Sequence, residues 1–131
     1  RLAAHGLGAA VVGAAADAPL AAEIRAAAPG AIDLCGRTAL DDLVPLGRAC
    51  AIAIGNDTGP MHWVAASGAP VLALFSAQSD PALCAPRGRA TRFLRRPALD
   101  GLGVDEVEAA ALGLLDAAAR LSPGQAPPAS P

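Results

Sequence analysis

The sequence predicts an α/β domain in which helices cover both faces of a parallel sheet. Short apolar runs of strand length alternate with stretches whose apolar residues recur at helical spacing. At the centre, an apolar run over residues 49–54 precedes a polar turn, a helix over 61–67 and a second apolar strand over 69–76. This order is that of a βαβ unit, and its repetition along the chain predicts three layers.

The boundaries of the central helix follow from two residues. Pro60 fits the first helical turn, where its missing N–H costs nothing. Gly68 is the usual kind of residue to end a helix. The turn that precedes this helix leaves the carboxyl end of a strand, which is where α/β proteins bind ligands.

The remaining elements follow the same alternation. Before the central unit we predict, in order, a helix end over 1–5, a strand over 8–13, a helix over 20–28, a strand over 31–35 and a helix over 39–48. After it we predict a long loop over 78–88, a short strand over 91–94 and a helix over 104–121. Residues 122–131 are rich in proline, alanine and serine, so we expect one folded domain over 1–121 and a disordered tail.

Composition excludes several classes of protein. A formal net charge of −2 provides no basic face for nucleic acid. No apolar run approaches the roughly 20 residues that span a bilayer. Cys35, Cys50 and Cys84 are odd in number and lack metal-ligand spacing, so we expect buried free thiols, no metal and a reducing cytoplasm. No cofactor is indicated.

Three common site motifs are absent. The first strand–turn–helix lacks Gly-x-Gly-x-x-Gly, which argues against a dinucleotide site. The sequence has no Walker A loop, and no Gly-x-Ser-x-Gly surrounds its serines, which argues against an α/β-hydrolase.

The polar turn carries residues suited to a diphosphate. Gly59 permits close approach of a ligand, and Thr58 offers a hydroxyl beside the unpaired N–H groups of a helix start. Asp57 is suited either to sugar hydroxyls or to capping the helix. His62 is suited either to a phosphate or to the core, and the spacing leaves both alternatives open.

This segment resembles a known family. The signature of the lipopolysaccharide heptosyltransferases, family 9 of the glycosyltransferases, is similar to three parts of this sequence. They are the run Gly55-Asn56-Asp57-Thr58-Gly59-Pro60-Met61-His62, the run Ser79-Asp80-Pro81 and the segment 34–40. The resemblance covers roughly residues 11–88. It implies the two-domain GT-B fold, and this chain matches the C-terminal, Rossmann-like domain that holds the nucleotide sugar, commonly ADP-heptose.

The resemblance also implies roles for single residues. The diphosphate or the sugar would be contacted by Thr58, Gly59 and His62, with Pro60 and Met61 in the same turn. Asp57 would bind heptose hydroxyls. His62 is also a candidate stabiliser of the leaving group.

A second set of implied positions lies outside this turn. Gly36, Arg37 and Thr38 would lie near the nucleoside, and Asp80 near the donor sugar. Asp17 follows the first strand, where the family has a residue that contacts the ribose, but the residues around Asp17 differ from those of the family. Ser76 and Ala77 replace the family's glycine and proline.

We therefore expect a glycosyltransferase that moves heptose to a lipopolysaccharide core acceptor. The chain begins at Arg1 without methionine, and we interpret it as a fragment whose acceptor domain and general base lie elsewhere. The alternatives are a non-catalytic nucleotide-binding module and a GT-B enzyme that uses another nucleotide sugar.

Five arginines fall close together after the central unit: Arg87, Arg89, Arg92, Arg95 and Arg96. They are explained either as a solvated face or as a contact with anionic lipid headgroups or acceptor phosphates. The second explanation would suit a cytoplasmic enzyme peripheral to the inner membrane.

Overall fold

The computed structural model describes residues 1–121, so the predicted tail over 122–131 lies outside the described residues. The chain forms two compact units, residues 1–43 and residues from 44 onward. In both units short strands alternate with helices, and every strand pair is parallel. The predicted parallel α/β class is confirmed, whereas a single folded domain over 1–121 stays a prediction.

Unit 1 contains one pair of short strands, one α-helix and three short 3-10 helices, Leu2–His5, Ala15–Asp17 and Leu40–Asp42. Strand β1 (Ala10–Val11) pairs in parallel with β2 (Ile32–Asp33), and helix α1 (Ala18–Ala27) connects them. Pro19 lies in the first turn of α1, where its missing N–H leaves no donor unpaired. Both strands are shorter than the predicted 8–13 and 31–35, although the amides of Leu34 and Gly36 still donate to the carbonyls of Val11 and Gly13.

Unit 2 contains a three-stranded sheet, four α-helices and a short 3-10 helix over Leu99–Gly101. The strands are β3 (Ala53–Asn56), β4 (Val71–Phe75) and β5 (Thr91–Arg95), with β4 in the middle. The helices are α2 (Leu43–Ala49), which begins at the last residue of unit 1, α3 (Gly59–Ala66), α4 (Pro81–Cys84) and α5 (Val104–Leu121).

The core of unit 2 is built around β4. Val71 and Leu72 are consecutive, so their side chains point to opposite faces of the sheet, yet both are fully buried. A strand covered on both faces is typical of a parallel sheet between helix layers. Helix α3 packs on β3 and β4, and α5 packs on β4 and β5. Phe75 completes this core with an edge-to-face contact to Phe93, at 5.9 Å between ring centroids.

Further predicted boundaries are wrong. Helix α2 begins at Leu43 rather than at the predicted 39, and α3 runs over Gly59–Ala66 rather than 61–67. Residue 49 belongs to α2 rather than to a strand, and the amide of Cys50 donates to the carbonyl of Leu46 in a further helical bond. The strand predicted over 49–54 therefore begins at Ala53. Part of the loop predicted over 78–88 is the one-turn helix α4, and α1 begins two residues before the predicted 20.

The cysteines are free, as predicted, but they are only half-buried rather than buried. Cys50 precedes β3 and Cys35 follows β2, so neither lies in the strand where it was expected. The predicted helix over 104–121 and the strand from 91 are confirmed.

Candidate functional site

The turn from β3 to α3 has the geometry that the sequence predicts. The amide of Asp57 donates to the carbonyl of Leu74 at 3.1 Å, which extends the β3–β4 ladder by one bond. Thr58 then precedes the helix in an extended conformation, with φ −143° and ψ 156°, and Gly59 is the first helical residue. Pro60 occupies the first turn, as expected from its fixed φ.

Two backbone donors are left open at this turn. Within residues 1–121 the amides of Thr58 and Gly59 find no acceptor, and Pro60 has no N–H. The Thr58 hydroxyl does not cap α3; it donates to the carbonyl of Asn56 at 3.4 Å. Unpaired amides at the positive end of a helix dipole attract an anion.

For both residues the structure rules out the structural alternative that the spacing left open. His62 is exposed, so it is not a core histidine. Asp57 is half-buried and does not cap α3, since Thr58 precedes the helix, and its carboxylate makes no hydrogen bond or ion pair in the described part of the chain. A carboxylate without a structural partner beside open amides is suited to a ligand.

Met61 and Trp63, the two large apolar residues at the start of α3, differ in how far they are exposed. Met61 is 7% exposed, and its sulfur lies so close to Gly55 that a Cβ there would come within 2.8 Å. Its side chain therefore supports the turn from the core and leaves only its backbone near a ligand. Trp63, by contrast, is 44% exposed.

The loop after β4 leaves the same edge of the sheet. Because β3 and β4 are adjacent and parallel, their carboxyl ends lie side by side. Asp80 caps α4 there, since its Oδ1 accepts from the amide of Ala82 at 3.0 Å. The side chain is exposed, so the other carboxylate oxygen can face a ligand.

The remaining predicted positions belong to unit 1. Gly36 adopts φ +68°, and a Cβ there would lie 3.0 Å from Cα of Ala15, so both conformation and space favour glycine. Its amide donates to the carbonyl of Gly13 at 2.8 Å. Arg37 is exposed and Thr38 half-buried. Because Gly36 to Thr38 and the turn over 57–62 belong to different units, their proximity to one ligand stays a prediction.

Asp17, the weaker sequence candidate, has a structural role. Its Oδ2 accepts from the amide of Ala14 at 2.8 Å and so closes the turn before α1. This bond accounts for the aspartate without a ligand.

Within residues 1–121, no helix combines the length and hydropathy needed to cross a bilayer. In the same residues, no group of three or more histidine, cysteine or carboxylate side chains is placed to hold a metal ion.

A parallel α/β unit with an open, glycine-bearing turn at the carboxyl end of a strand belongs to the Rossmann-like class of ligand-binding folds. The model of glycosyltransferase family 9 (heptosyltransferase) matches residues 1–99. The chain therefore belongs to glycosyltransferase family 9, which confirms the resemblance seen in the sequence.

Individual relatives agree with this assignment. The chain is 36% identical over 80 residues to lipooligosaccharide heptosyltransferase 2 of Haemophilus influenzae, a match that covers 57% of this chain and 23% of that protein. The structure of E. coli ADP-heptose lipopolysaccharide heptosyltransferase II superimposes with a TM-score of 0.78 at 28% identity, over 88% of this chain and 38% of that one.

A third relative supports the fold alone. The glycosyl transferase family 9 structure from Veillonella parvula has a TM-score of 0.75 at 22% identity, over 82% of this chain and 36% of that one. The chain thus spans about a quarter of the length of the curated relative that it matches.

Proposed function

We propose that this chain is the donor-binding part of a glycosyltransferase that moves heptose from ADP-heptose to a lipopolysaccharide core acceptor. The observation that carries the proposal is the pair of open amides at Thr58 and Gly59, beside the exposed His62 and the unpartnered Asp57. Membership of the heptosyltransferase family supports the reaction type. The E. coli structure named for ADP-heptose supports the choice of donor.

The diphosphate is proposed to bind at the start of α3. The amides of Thr58 and Gly59 would donate to its oxygens, and the Thr58 hydroxyl can turn from the long 3.4 Å bond to Asn56 toward the same anion. His62, one helical turn further on, is the proposed third donor. These donors would bind most strongly as charge develops on the diphosphate while it leaves the sugar.

The two aspartates at this edge are proposed to hold the sugar. Asp57 can accept from hydroxyl groups with both oxygens, because neither has a partner among the described residues. Asp80 can offer the oxygen that does not cap α4. On the nucleoside side, the proposal places Gly36, Arg37 and Thr38 of unit 1.

The chemical step requires a base that these residues do not provide. The acceptor hydroxyl would attack the anomeric carbon while the bond to the diphosphate breaks, and a general base would remove the hydroxyl proton. We place that base and the acceptor site in an N-terminal domain outside this chain. Because the acceptor is a lipid, we also propose a cytoplasmic enzyme at the inner membrane surface.

Titration calorimetry with ADP, ADP-heptose and UDP tests the proposal. We expect saturable binding of ADP and ADP-heptose that is lost in His62→Ala, and weaker binding of UDP. His5→Ala, which changes the other histidine, is the control and should bind normally. The chain has one tryptophan and no tyrosine, so the emission of Trp63 next to His62 gives a second readout.

The possible outcomes separate the alternatives. Preference for UDP would indicate a GT-B enzyme with another donor. Binding of ADP without any contribution from the sugar would favour a non-catalytic nucleotide-binding module. No saturable binding at millimolar ligand would overturn the proposed donor site.

A further inference from the structure

Strand β5 is an open edge of the sheet in unit 2. In the described part of the chain the strand order ends at β5, so no strand pairs with its outer side. Its inner side is fixed at both ends: the carbonyl of Ala90 accepts from the amide of Val71 at 2.9 Å, and the amide of Arg96 donates to the carbonyl of Phe75 at 3.0 Å. Backbone groups alternate in direction along a strand, so those of residues 90, 92, 94 and 96 point to β4 and those of residues 91, 93 and 95 point away from the sheet.

The outward row of backbone groups is largely open. Within residues 1–121 the amides of Thr91, Phe93 and Arg95 find no acceptor. One outward carbonyl, that of Arg95, accepts from the Arg96 guanidinium at 2.8 Å, and the carbonyls of Thr91 and Phe93 stay open. Such a row is a template for one more strand, because its donors and acceptors are already held in the extended geometry that pairing requires.

The side chain in the middle of this row is apolar and half-exposed. Phe93 contacts the ring of Phe75 edge-to-face, yet 49% of Phe93 remains exposed. Thr91 and Arg95 share its face of the strand, because side chains two residues apart point the same way, and both are exposed. An added strand would therefore cover apolar surface that the described residues leave open to water.

The opposite face of β5 is already occupied by α5. The Arg96 guanidinium donates to Glu106 of α5 at 2.5 Å. The guanidinium of Arg92 lies across the same helix, since a Cβ at Gly113 would be 3.6 Å from its Nη1. The face that carries Phe93 is therefore the one left for a partner.

The charge around β5 favours an acidic partner. Between Asp80 and Asp100 the sequence has five arginines and no carboxylate. Of these arginines only Arg96 has a carboxylate partner within residues 1–121. A second copy of β5 would bring arginine side chains against each other, and like charges on neighbouring strands are destabilising. Charge complementarity thus selects an acidic segment over a second copy of this chain.

We propose that the outer edge of β5 binds an extended acidic segment of a partner protein as an added strand. The backbone of the segment pairs with the outward groups of residues 91, 93 and 95. An apolar side chain of the segment covers Phe93, and a carboxylate two residues away pairs with Arg95 on the same face. In the sheet this edge is the opposite one from β3, the strand that leads into the candidate donor site, so the partner and the donor bind at separate places.

Hydrogen exchange of the isotopically labelled 131-residue chain, followed by NMR, tests this edge with the peptide acetyl-Glu-Glu-Val-Glu-Glu-amide. The peptide places valine between two glutamates on one face in either strand direction. In the free chain the amides of residues 91, 93 and 95 should exchange faster than those of 92, 94 and 96. Peptide at about ten times its Kd should slow the outward amides about tenfold. Outward amides that are protected without peptide, or that stay unprotected with it, would overturn the proposal.

Variants separate the charge from the strand pairing. Arg95→Gln should weaken peptide binding about threefold, the usual scale of an exposed ion pair, and Arg48→Gln, another exposed arginine of unit 2, should leave it unchanged. Thr91→Pro removes an outward N–H but no bond to β4, which an edge strand tolerates, and should weaken binding at least about tenfold. Thermal unfolding checks that each variant is folded. Equal affinity in Thr91→Pro and wild type, or equal binding of acetyl-Lys-Lys-Val-Lys-Lys-amide, would contradict the proposal.

The same measurements identify other occupants. Protection of the outward amides that rises with chain concentration, without peptide, would assign the edge to a second copy. Binding to vesicles of phosphatidylcholine with phosphatidylglycerol that is insensitive to Thr91→Pro, with no peptide binding, would assign the arginines to a lipid surface. Either result overturns the inference. His62→Ala should abolish ADP binding and leave peptide affinity unchanged, so failure at this edge is distinct from failure of the donor site.

Discussion

Gly88 lies directly against the carbonyl group of Ala65, so that a Cβ at position 88 would come within 2.7 Å of that oxygen. The same oxygen accepts the amide of Gly68 at 3.1 Å where α3 ends. The segment that leads into β5 is therefore packed onto the end of the helix that begins at the candidate donor site.

Gly88→Ala should destabilise unit 2 by about 1–3 kcal/mol, because the clash is with backbone that cannot move aside. Gly101→Ala is the control, since a Cβ there meets only the Cβ of Arg96 at an ordinary 3.9 Å. Thermal or urea unfolding of both variants measures the difference. Equal stability of Gly88→Ala and wild type would show that this contact is not tight in solution.

Gly59→Ala separates ligand binding from folding. A Cβ at Gly59 meets no protein atom within 4 Å, and the residue is the first of α3, so alanine should leave stability unchanged or raise it by up to about 1 kcal/mol. The same Cβ would stand where we propose the diphosphate to approach the backbone, and ADP affinity should fall at least about tenfold.

Calorimetry and thermal unfolding of Gly59→Ala, with Gly8→Ala as control, make this measurement. Gly8 also has open space around it, and it belongs to unit 1 rather than to the unit that contains the turn. Unchanged ADP affinity in a stable Gly59→Ala variant would place the diphosphate elsewhere.

The helix α3 at the centre of the chain could be predicted because the residues that start and end it act on the backbone within a few positions. Pro60 at the start of α3 and Gly68 after its end, with φ +95°, both behave as their backbone preferences require. The family signature over the same turn supplied the candidate ligand contacts. Pro81 after Asp80 was a comparable helix-start signal, and it could have revealed α4 within the predicted loop.

Other features depend on contacts that sequence patterns do not carry. Ala49 and Cys50 suit a helix or a strand, and only the continued helical bond from Cys50 to Leu46 decides between them. Exposure of His62 and Trp63 depends on how α3 rotates against the sheet. The pairing of β4 with β5 continues past their ends, where the amide of Arg96 donates to the carbonyl of Phe75, and no spacing in the sequence indicates this bond.

Asp57 and Asp80 should respond differently to substitution. Asp57→Asn should leave stability unchanged, because the carboxylate has no partner in the described residues, and should weaken ADP-heptose binding more than ADP binding. Asp80→Ala should destabilise unit 2 by about 1 kcal/mol through loss of the cap on Ala82.

Calorimetry with both ligands and urea unfolding of each variant test this contrast. Asp80→Asn is the matched control for the cap, because asparagine is also a good N-cap residue. A loss of stability in Asp57→Asn, or equal losses of ADP and ADP-heptose affinity, would contradict the sugar-binding role of Asp57.

The thiol of Cys50 should react slowly and make stability fall at alkaline pH. Burial raises the pKa of Cys50 above its ordinary value of 9.0, outweighing the opposite effect of its own backbone amide, and the Sγ donates to the carbonyl of Gly47 at 3.3 Å. The folded state therefore keeps the thiol proton longer than the unfolded state. Its contribution to stability is complete below about pH 9 and is lost as pH rises through the folded pKa.

Alkylation with iodoacetamide at pH 8, followed by mass spectrometry, should show that Cys50 reacts more slowly in the folded chain than in urea, because the thiolate is the nucleophile. In Cys50→Ala the free energy of unfolding should fall less between pH 8 and 10 than in wild type. Cys84→Ala is the comparison, since it leaves Cys50 in place and should retain the wild-type decline. If Cys50 is modified equally fast in the folded and unfolded chains, the Gly47 contact does not hold the thiol in solution.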